Sequence, residues 1–303
     1  MKIIVCIKVV PDIHILNFDL GTNSFDPDDF VYIINPLDLV ALEAGLGIKE
    51  SVGSVEVICL SMGPPSVMTH LRQCLAMGSD RALLLWDNRF TNSDGLAKAV
   101  ILSSAIKKLG FDLILSGGCA QDDEDGIVGI SIAGILNVPH ISYVTQLEIH
   151  KDQGIARVHR ALEKGDREIL ECSLPALYTV HQTMNNPRYP TFPRSLSSLK
   201  EEIPVWGLAD LDLREEQVGR RGSPTNILHF SLPRPRPKVT IRLDSNLSPS
   251  ERMRLLVSGG LEDKRGDLLE GDVKEVAEKI VQIIEGENQK RKSRKKHQIY
   301  LTD

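Results

Sequence analysis

Several things are scarce or missing in this chain of 303 residues, and each absence narrows the possibilities. Aromatic residues make up only 5%, so Leu, Ile and Val must fill the interior, as in folds built on buried parallel strands. Charge of one sign is not in excess: the formal net charge is -5, which gives no electrostatic reason to expect a nucleic-acid partner. The five cysteines, Cys6, Cys59, Cys74, Cys119 and Cys172, are scattered without a CxxC and read as small buried residues in a reducing compartment. No stretch approaches the roughly 20 apolar residues of a membrane span, and MKIIVCIKVV has no signal-peptide pattern. A soluble cytoplasmic protein is therefore expected. None of the eight histidines sits at HxxxH spacing, and no metal site is expected. There is no GxSxG elbow, kinase signature, GK[ST] or GxGxxG. No nucleophile has a base beside it, so the residues point to binding rather than to bond chemistry.

What is present is an alternation of strand and helix. KIIVCIKVV (2–10) is a β-branched apolar run of strand length. Residues 11–30 read as a long loop. Asn35-Pro36 opens a helix, Asn as cap and Pro at the first position, with Asp38 in the first turn. Leu37, Val40, Ala41, Ala44 and Ile48 follow at helical spacing. Strands are expected at 55–60, 82–86 and 112–116. Helices are expected at 65–77, 94–109 and 127–137. Such repeated units predict a Rossmann-like, doubly wound α/β fold with a mostly parallel sheet. TQLEIH, ARVHRAL, REILECS and PALYTV then predict hairpins that add antiparallel strands. Residues 184–203 are Pro-rich and irregular, and 216–237 read as an extended linker. A terminal helix is expected over 267–286, and KRKSRKK (290–296) reads as a solvated basic tail. Residues 1–203 are thus expected to form a nucleotide-binding α/β domain, and 204–303 a C-terminal arm ending in the basic tail from 289.

In an open parallel sheet, ligands bind at the carboxyl ends of strands where the strand order reverses. Cys6-Ile7-Lys8, Ser61-Met62-Gly63-Pro64 and the loop 117–126 have that address. Gly117, Gly118 and Gly126 let backbone approach a ligand, and the helix starting at Ile127 offers free N–H groups to a phosphate. Asp122, Asp123 and Asp125 would repel phosphate if they pointed inward. They either accept from ribose hydroxyls or face water, and a solvated loop is preferred over a Mg²⁺ site at this spacing. A plain acidic loop remains the alternative on these residues alone.

VCIKVVPD (5–12), INPLDLVALEAGLGIKE (34–50), LRQCLAMGSDRALLL (71–85), DLILSGGCAQDDEDGIVG (112–129) and NNPRYPTFP (185–193) occur in one order and spacing. Together they resemble the electron-transfer flavoprotein β-subunit family. The resemblance implies a heterodimer with an α subunit that carries FAD, and a Rossmann-like domain here that holds AMP or a second FAD. Carried over by position, the nucleotide site comprises Cys6, the segment Asn35, Pro36, Leu37 and Asp38, then Met62 and Leu113. Gly117, Gly118, Cys119, Ala120, Asp122, Asp123, Asp125, Gly126, Ile127 and Val128 complete it. Asn186, Pro187, Arg188, Tyr189 and Phe192 would belong to a partner-recognition loop, with Phe192 where the family usually has leucine. The implied role is to shuttle electrons from an acyl-CoA dehydrogenase-type donor to a quinone oxidoreductase or, in bifurcating members, to NAD and ferredoxin or flavodoxin. The chain departs from the family pattern at 125–128, which leaves the choice between AMP and FAD open, at Leu37, where the family often has an aromatic that approaches the α-subunit flavin, and at Ala161, where a Glu is typical of the hairpin. An adenine-nucleotide sensor or hydrolase on a similar fold is the alternative function.

Overall fold

The computed structural model describes residues 1–15, 18–19, 24–25, 30–228, 248–257, 271–272 and 274–282. They fall into two units, Met1–His229 and Phe230–Asp303. The strands are β1 (Lys2–Ile7), β2 (Val9–Pro11), β3 (Phe18–Asp19), β4 (Ser24–Phe25), β5 (Tyr32–Ile34), β6 (Glu56–Met62) and β7 (Arg81–Leu85). They continue as β8 (Leu113–Gly117), β9 (His140–His150), β10 (Ile155–Ala161), β11 (Arg167–Ser173), β12 (Ala176–Val180) and β13 (Val205–Trp206). The helices are α1 (Pro36–Val52), α2 (Met68–Met77), α3 (Gly95–Leu109), α4 (Ile127–Leu136), α5 (Phe192–Ser198), α6 (Gly219–Gly222) and, in the second unit, α7 (Pro249–Val257).

The main sheet runs β11-β10-β9-β12-β8-β1-β6-β7-β13. It is parallel from β9 to β13 and antiparallel at β9-β10-β11. β1 is apolar on both sides because both faces of the sheet are covered. Ile3, Val5 and Ile7 pack with Leu42 and Leu46 of α1 and Leu71 of α2. Ile4 and Cys6 point the other way, into a core with Ile101 and Ile106 of α3 and Ile132 of α4. The period of two along one strand thus feeds two cores. From β1 the chain moves through α1 to β6 and on to β7, then returns through α3 to β8 on the other side of β1. The strand order therefore reverses between β1 and β8, and their carboxyl ends diverge there.

Several expectations change. PALYTV supplies β12, which is parallel to both β8 and β9; all five of its residues are buried, the pattern of a central strand rather than a hairpin. The Pro-rich stretch contains α5, with Pro193 in its first turn, where a missing N–H costs nothing. Residues 215–217 and 219–222 form short helical turns instead of an extended linker, because Gly219 N–H donates to Ser93 Oγ (3.0 Å) and Thr225 N–H to Asp94 Oδ2 (2.9 Å). The first unit includes residues 204–228, which the sequence assigns to the arm. In the second unit residues 274–282 are helical, whereas 271 and 272 are not. The rest of the helix expected at 267–286, residues 229–237 and the basic tail lie outside the described residues, as does most of the loop at 16–29. No described helix is long and apolar enough to cross a membrane.

Candidate functional site

Asn35 stands at the N-cap position of α1, yet its side chain does not cap the helix. Its Nδ2 donates to the Cys119 carbonyl (3.0 Å), and its Oδ1 accepts from the Gln121 N–H (3.2 Å). The side chain therefore ties the loop after β8 to the start of α1. Asp38, one turn on and buried, reaches across the switch point. Its Oδ2 accepts from the Lys8 N–H (2.8 Å), just past β1, and its Oδ1 from the Gly117 N–H (2.9 Å) at the end of β8. One carboxylate thus holds the two diverging strand ends apart. Burial raises its pKa to about 6, against the pull of those two N–H groups.

Between these strand ends and helices α3 and α4 lies a cavity of about 240 Å³. Cys6, Asn35, Asp38, Met62, Gly117, Gly118, Cys119, Ala120, Asp123, Asp125, Gly126, Ile127 and Val128 all line it, so most of the site expected from the sequence is brought together. Pro36, Leu37 and Asp122 lie beside it and do not line it. Leu113 is a buried core residue at the far end of β8, so the structure places it away from the cavity. Lys98 and Leu102 of α3, Ser116, Gly129 and Ile132 also form the wall, and the sequence reading missed them. The cap Asp94, whose side chain accepts from the Ala97 N–H, marks the start of α3 but gives no sign that Lys98 faces the cavity.

The floor of the cavity is the N-terminus of α4. Gly126 precedes it at φ +65 with no side chain to cap the first turn, so the helix presents free N–H groups and the positive end of its dipole. A Cβ at Gly126 would stand 3.0 Å from the Gly118 carbonyl oxygen, and one at Gly129 2.9 Å from Ser116 Oγ. Ser116 Oγ is itself buried without a hydrogen-bond partner. Part of the acidic loop is turned onto a lysine, while Asp125 lines the cavity. Asp122 and Asp123 turn onto Lys8 Nζ at 2.6 and 2.7 Å. Burial works against the Lys8 charge, but the two aspartates outweigh it and raise its pKa. The thiols are inert: burial, with the Asp38 charge behind it, pushes Cys6 up to about 12, and burial with Glu124 and Asp123 raises Cys119. Among the described residues no cluster could hold a metal ion. Free helix N–H groups, an unpaired buried hydroxyl and approachable glycine backbone fit a phosphate with an attached ribose.

The segment 185–199 lies over the far parts of α1 and α2. Asn185 Nδ2 donates to the Val40 carbonyl (3.0 Å), and the Arg188 guanidinium pairs with Glu43 and Glu50. Asn186 is exposed and Pro187 half-buried. Tyr189 and Phe192 stand clear, 93% and 80% exposed, and Leu196 and Leu199 of the same segment are also exposed.

The electron transfer flavoprotein domain family matches residues 25–211. The chain is 39% identical over 234 residues to the electron transfer flavoprotein subunit beta of Thermoanaerobacterium thermosaccharolyticum, covering 77% of this chain and 88% of that protein. It is 38% identical over 235 residues to the caffeyl-CoA reductase-Etf complex subunit CarD of Acetobacterium woodii, with the same coverage. Along 94% of its length it is 31% identical to the electron transfer flavoprotein subunit beta of Methylophilus methylotrophus, 98% of which is matched.

Proposed function

The chain belongs to the electron transfer flavoprotein β-subunit family, and we propose that its switch-point cavity holds an adenylate, either AMP or the AMP half of a second FAD. The observation that carries this reading is the uncapped N-terminus of α4 behind Gly126, facing the unpaired Ser116 hydroxyl. The phosphate sits on the first-turn N–H groups, Ser116 Oγ bonds to the ligand, and Lys98 adds a positive charge at the wall. Asn35 and Asp38 hold the loop and strand ends in place around it, and Lys8 offsets part of the charge of Asp122 and Asp123. FAD, when bound, supplies the redox chemistry of the complex. This chain's residues supply position, charge and exclusion of water.

The family implies an α-subunit partner, and we place FAD mainly in that subunit. The electron donor is an acyl-CoA dehydrogenase-type flavoenzyme, and the acceptor a quinone oxidoreductase or, in a bifurcating complex, NAD with ferredoxin or flavodoxin. The donor docks on the face formed by Tyr189, Phe192, Leu196 and Leu199. Phe192 and Leu196 share one stripe of α5, Leu199 follows directly after the helix, and apolar side chains this exposed call for a covering partner. Denaturing the purified αβ dimer and identifying the released nucleotides by mass spectrometry tests the reading. One FAD and one AMP, or two FAD, per dimer are the expected results and separate its two forms. Release of no nucleotide beyond the flavin of the α subunit would overturn the site. A dimer without a flavin spectrum would favour the nucleotide sensor instead.

A further inference from the structure

Helix α5 is seven residues long, too short to persist in water on its own helix propensity. Its outer stripe is exposed, so core packing on that side does not hold it either. Two arginines do. Arg72, on α2, sends Nη1 to the carbonyls of Ser198 (2.7 Å), Leu199 (3.2 Å) and Glu201 (2.9 Å). The Ser198 carbonyl is the last of α5, and those of Leu199 and Glu201 belong to the turn that follows it; a cation there also suits the helix dipole. Arg188, three residues before the cap Thr191, makes the second clamp. Its backbone N–H donates to Glu43 Oε2 (3.1 Å), and its Nε and Nη2 reach Glu43 at 2.9 and 2.8 Å. Its Nη1 pairs with Glu50 on the same face of α1. Glu43 is mostly buried, its side chain 14% exposed, so this is a forked charge pair rather than a loose surface contact.

We infer that Arg72 and Arg188 are positioning residues for partner docking: they hold α5 and its flanking loop on α2 and α1 so that Phe192, Leu196 and Leu199 meet the partner already ordered. This rests on the docking face proposed above. Arg188, which the resemblance assigns to the partner contact, commits its guanidinium to this chain instead. Ordering the segment in advance removes its entropy cost from the binding step, so losing a clamp weakens docking without touching the face. Electron transfer within the docked complex is left as it was.

The test uses the full αβ dimer as varied electron acceptor for a short-chain acyl-CoA dehydrogenase driven by butyryl-CoA. Hydrogen exchange of the α5 amides is followed in parallel. For Arg72→Ala the expected result is a KM for the dimer raised about tenfold, equivalent to one clamp's loss, with kcat within about twofold. The α5 amides should exchange at least about tenfold faster, in line with local opening. Nucleotide and flavin content should not change. Arg188→Lys keeps the charge but not the fork and should give the same pattern more weakly than Arg188→Ala. Phe192→Ala separates the two ideas, because it should raise KM while α5 exchange stays at the wild-type rate. If Phe192→Ala raises KM and Arg72→Ala changes neither KM nor exchange, the positioning inference falls and the docking face stands. If Phe192→Ala leaves KM unchanged, the docking face itself is wrong. Should Arg72→Ala fail to give a folded dimer, Arg72→Met, which keeps the aliphatic stem but has no donor for the three carbonyls, makes the same measurement. An unchanged KM and exchange rate there would equally overturn the inference.

Discussion

Asp38 shows how one side chain can be structural and still decide where a ligand goes. Its two oxygens each take a backbone N–H, one beyond β1 and one at the end of β8, and the cavity opens between those two strands. An asparagine there has one acceptor where two are needed, and its amide would face an N–H. Asp38→Asn should therefore cost about 1–3 kcal/mol, the usual penalty for a buried donor left unpaired. The pH dependence has a definite sign. Burial raises the folded-state pKa to about 6 from a usual 3.8, so the folded protein binds more protons than the unfolded chain between those values. The Asp38 contribution is full below about pH 4 and declines as pH rises through about 6. The melting-temperature gap between wild type and Asp38→Asn should thus shrink from pH 4.5 to pH 7. A gap that widens over that range would mean that the native carboxylate is stabilised rather than strained by burial. At this scale the sequence was partly legible. Asn35 and Asp38 stood out as a cap and first-turn acid, but the tertiary hydrogen bonds that give them their roles leave no local pattern. Lys98 was invisible because a lysine in a helix looks the same whether it faces water or a ligand.

Among the elements, α4 carries the ligand hypothesis and α5 the docking one. The residue before α4 must adopt φ +65, and any side chain there grows toward the Gly118 carbonyl. Gly126→Val should release the adenylate and lower the melting temperature, for two additive reasons. A β-branched residue in that region is strained by about 1–3 kcal/mol, and the stabilisation from a ligand bound only to the folded state disappears. Absorbance of the nucleotide released on denaturation, compared with wild type, measures the first effect. Full retention would place the adenylate elsewhere. The alternation of apolar runs and helical stripes made α1 to α4 readable, because burial against a two-faced sheet imposes those periods. Helix α5 was not readable. Pro187, Pro190 and Pro193 suggested irregular chain, and the groups that Arg188 and Arg72 join, on α1 and past the end of α5, are distant in sequence from them. Strand β12 was placed correctly as a strand but in the wrong direction, since an apolar five-residue run does not encode the orientation of its neighbours.

For the molecule as a whole, the division into Met1–His229 and Phe230–Asp303 bears on how the dimer is built. Among the described residues both core clusters run no further than Val218, and the cavity and docking segment lie before residue 200. We propose that the first unit folds and binds its ligand on its own. The described part of the second unit carries α7 and a helical stretch at 274–282. We propose that it serves the α subunit, as the arm of the family would. Ending the chain after residue 229 should then leave the first unit folded, with a melting temperature within a few degrees of its value in the full chain, as expected when no core contact is lost. The adenylate should stay bound. Association with the α subunit should weaken by about tenfold or more, the loss of roughly 1.4 kcal/mol, read by size-exclusion chromatography of the co-expressed pair at falling concentration. If the shortened chain still forms the dimer at undiminished affinity, the second unit has another partner. If the shortened chain instead loses its nucleotide, the cavity depends on residues beyond 229, and the first unit is not self-sufficient.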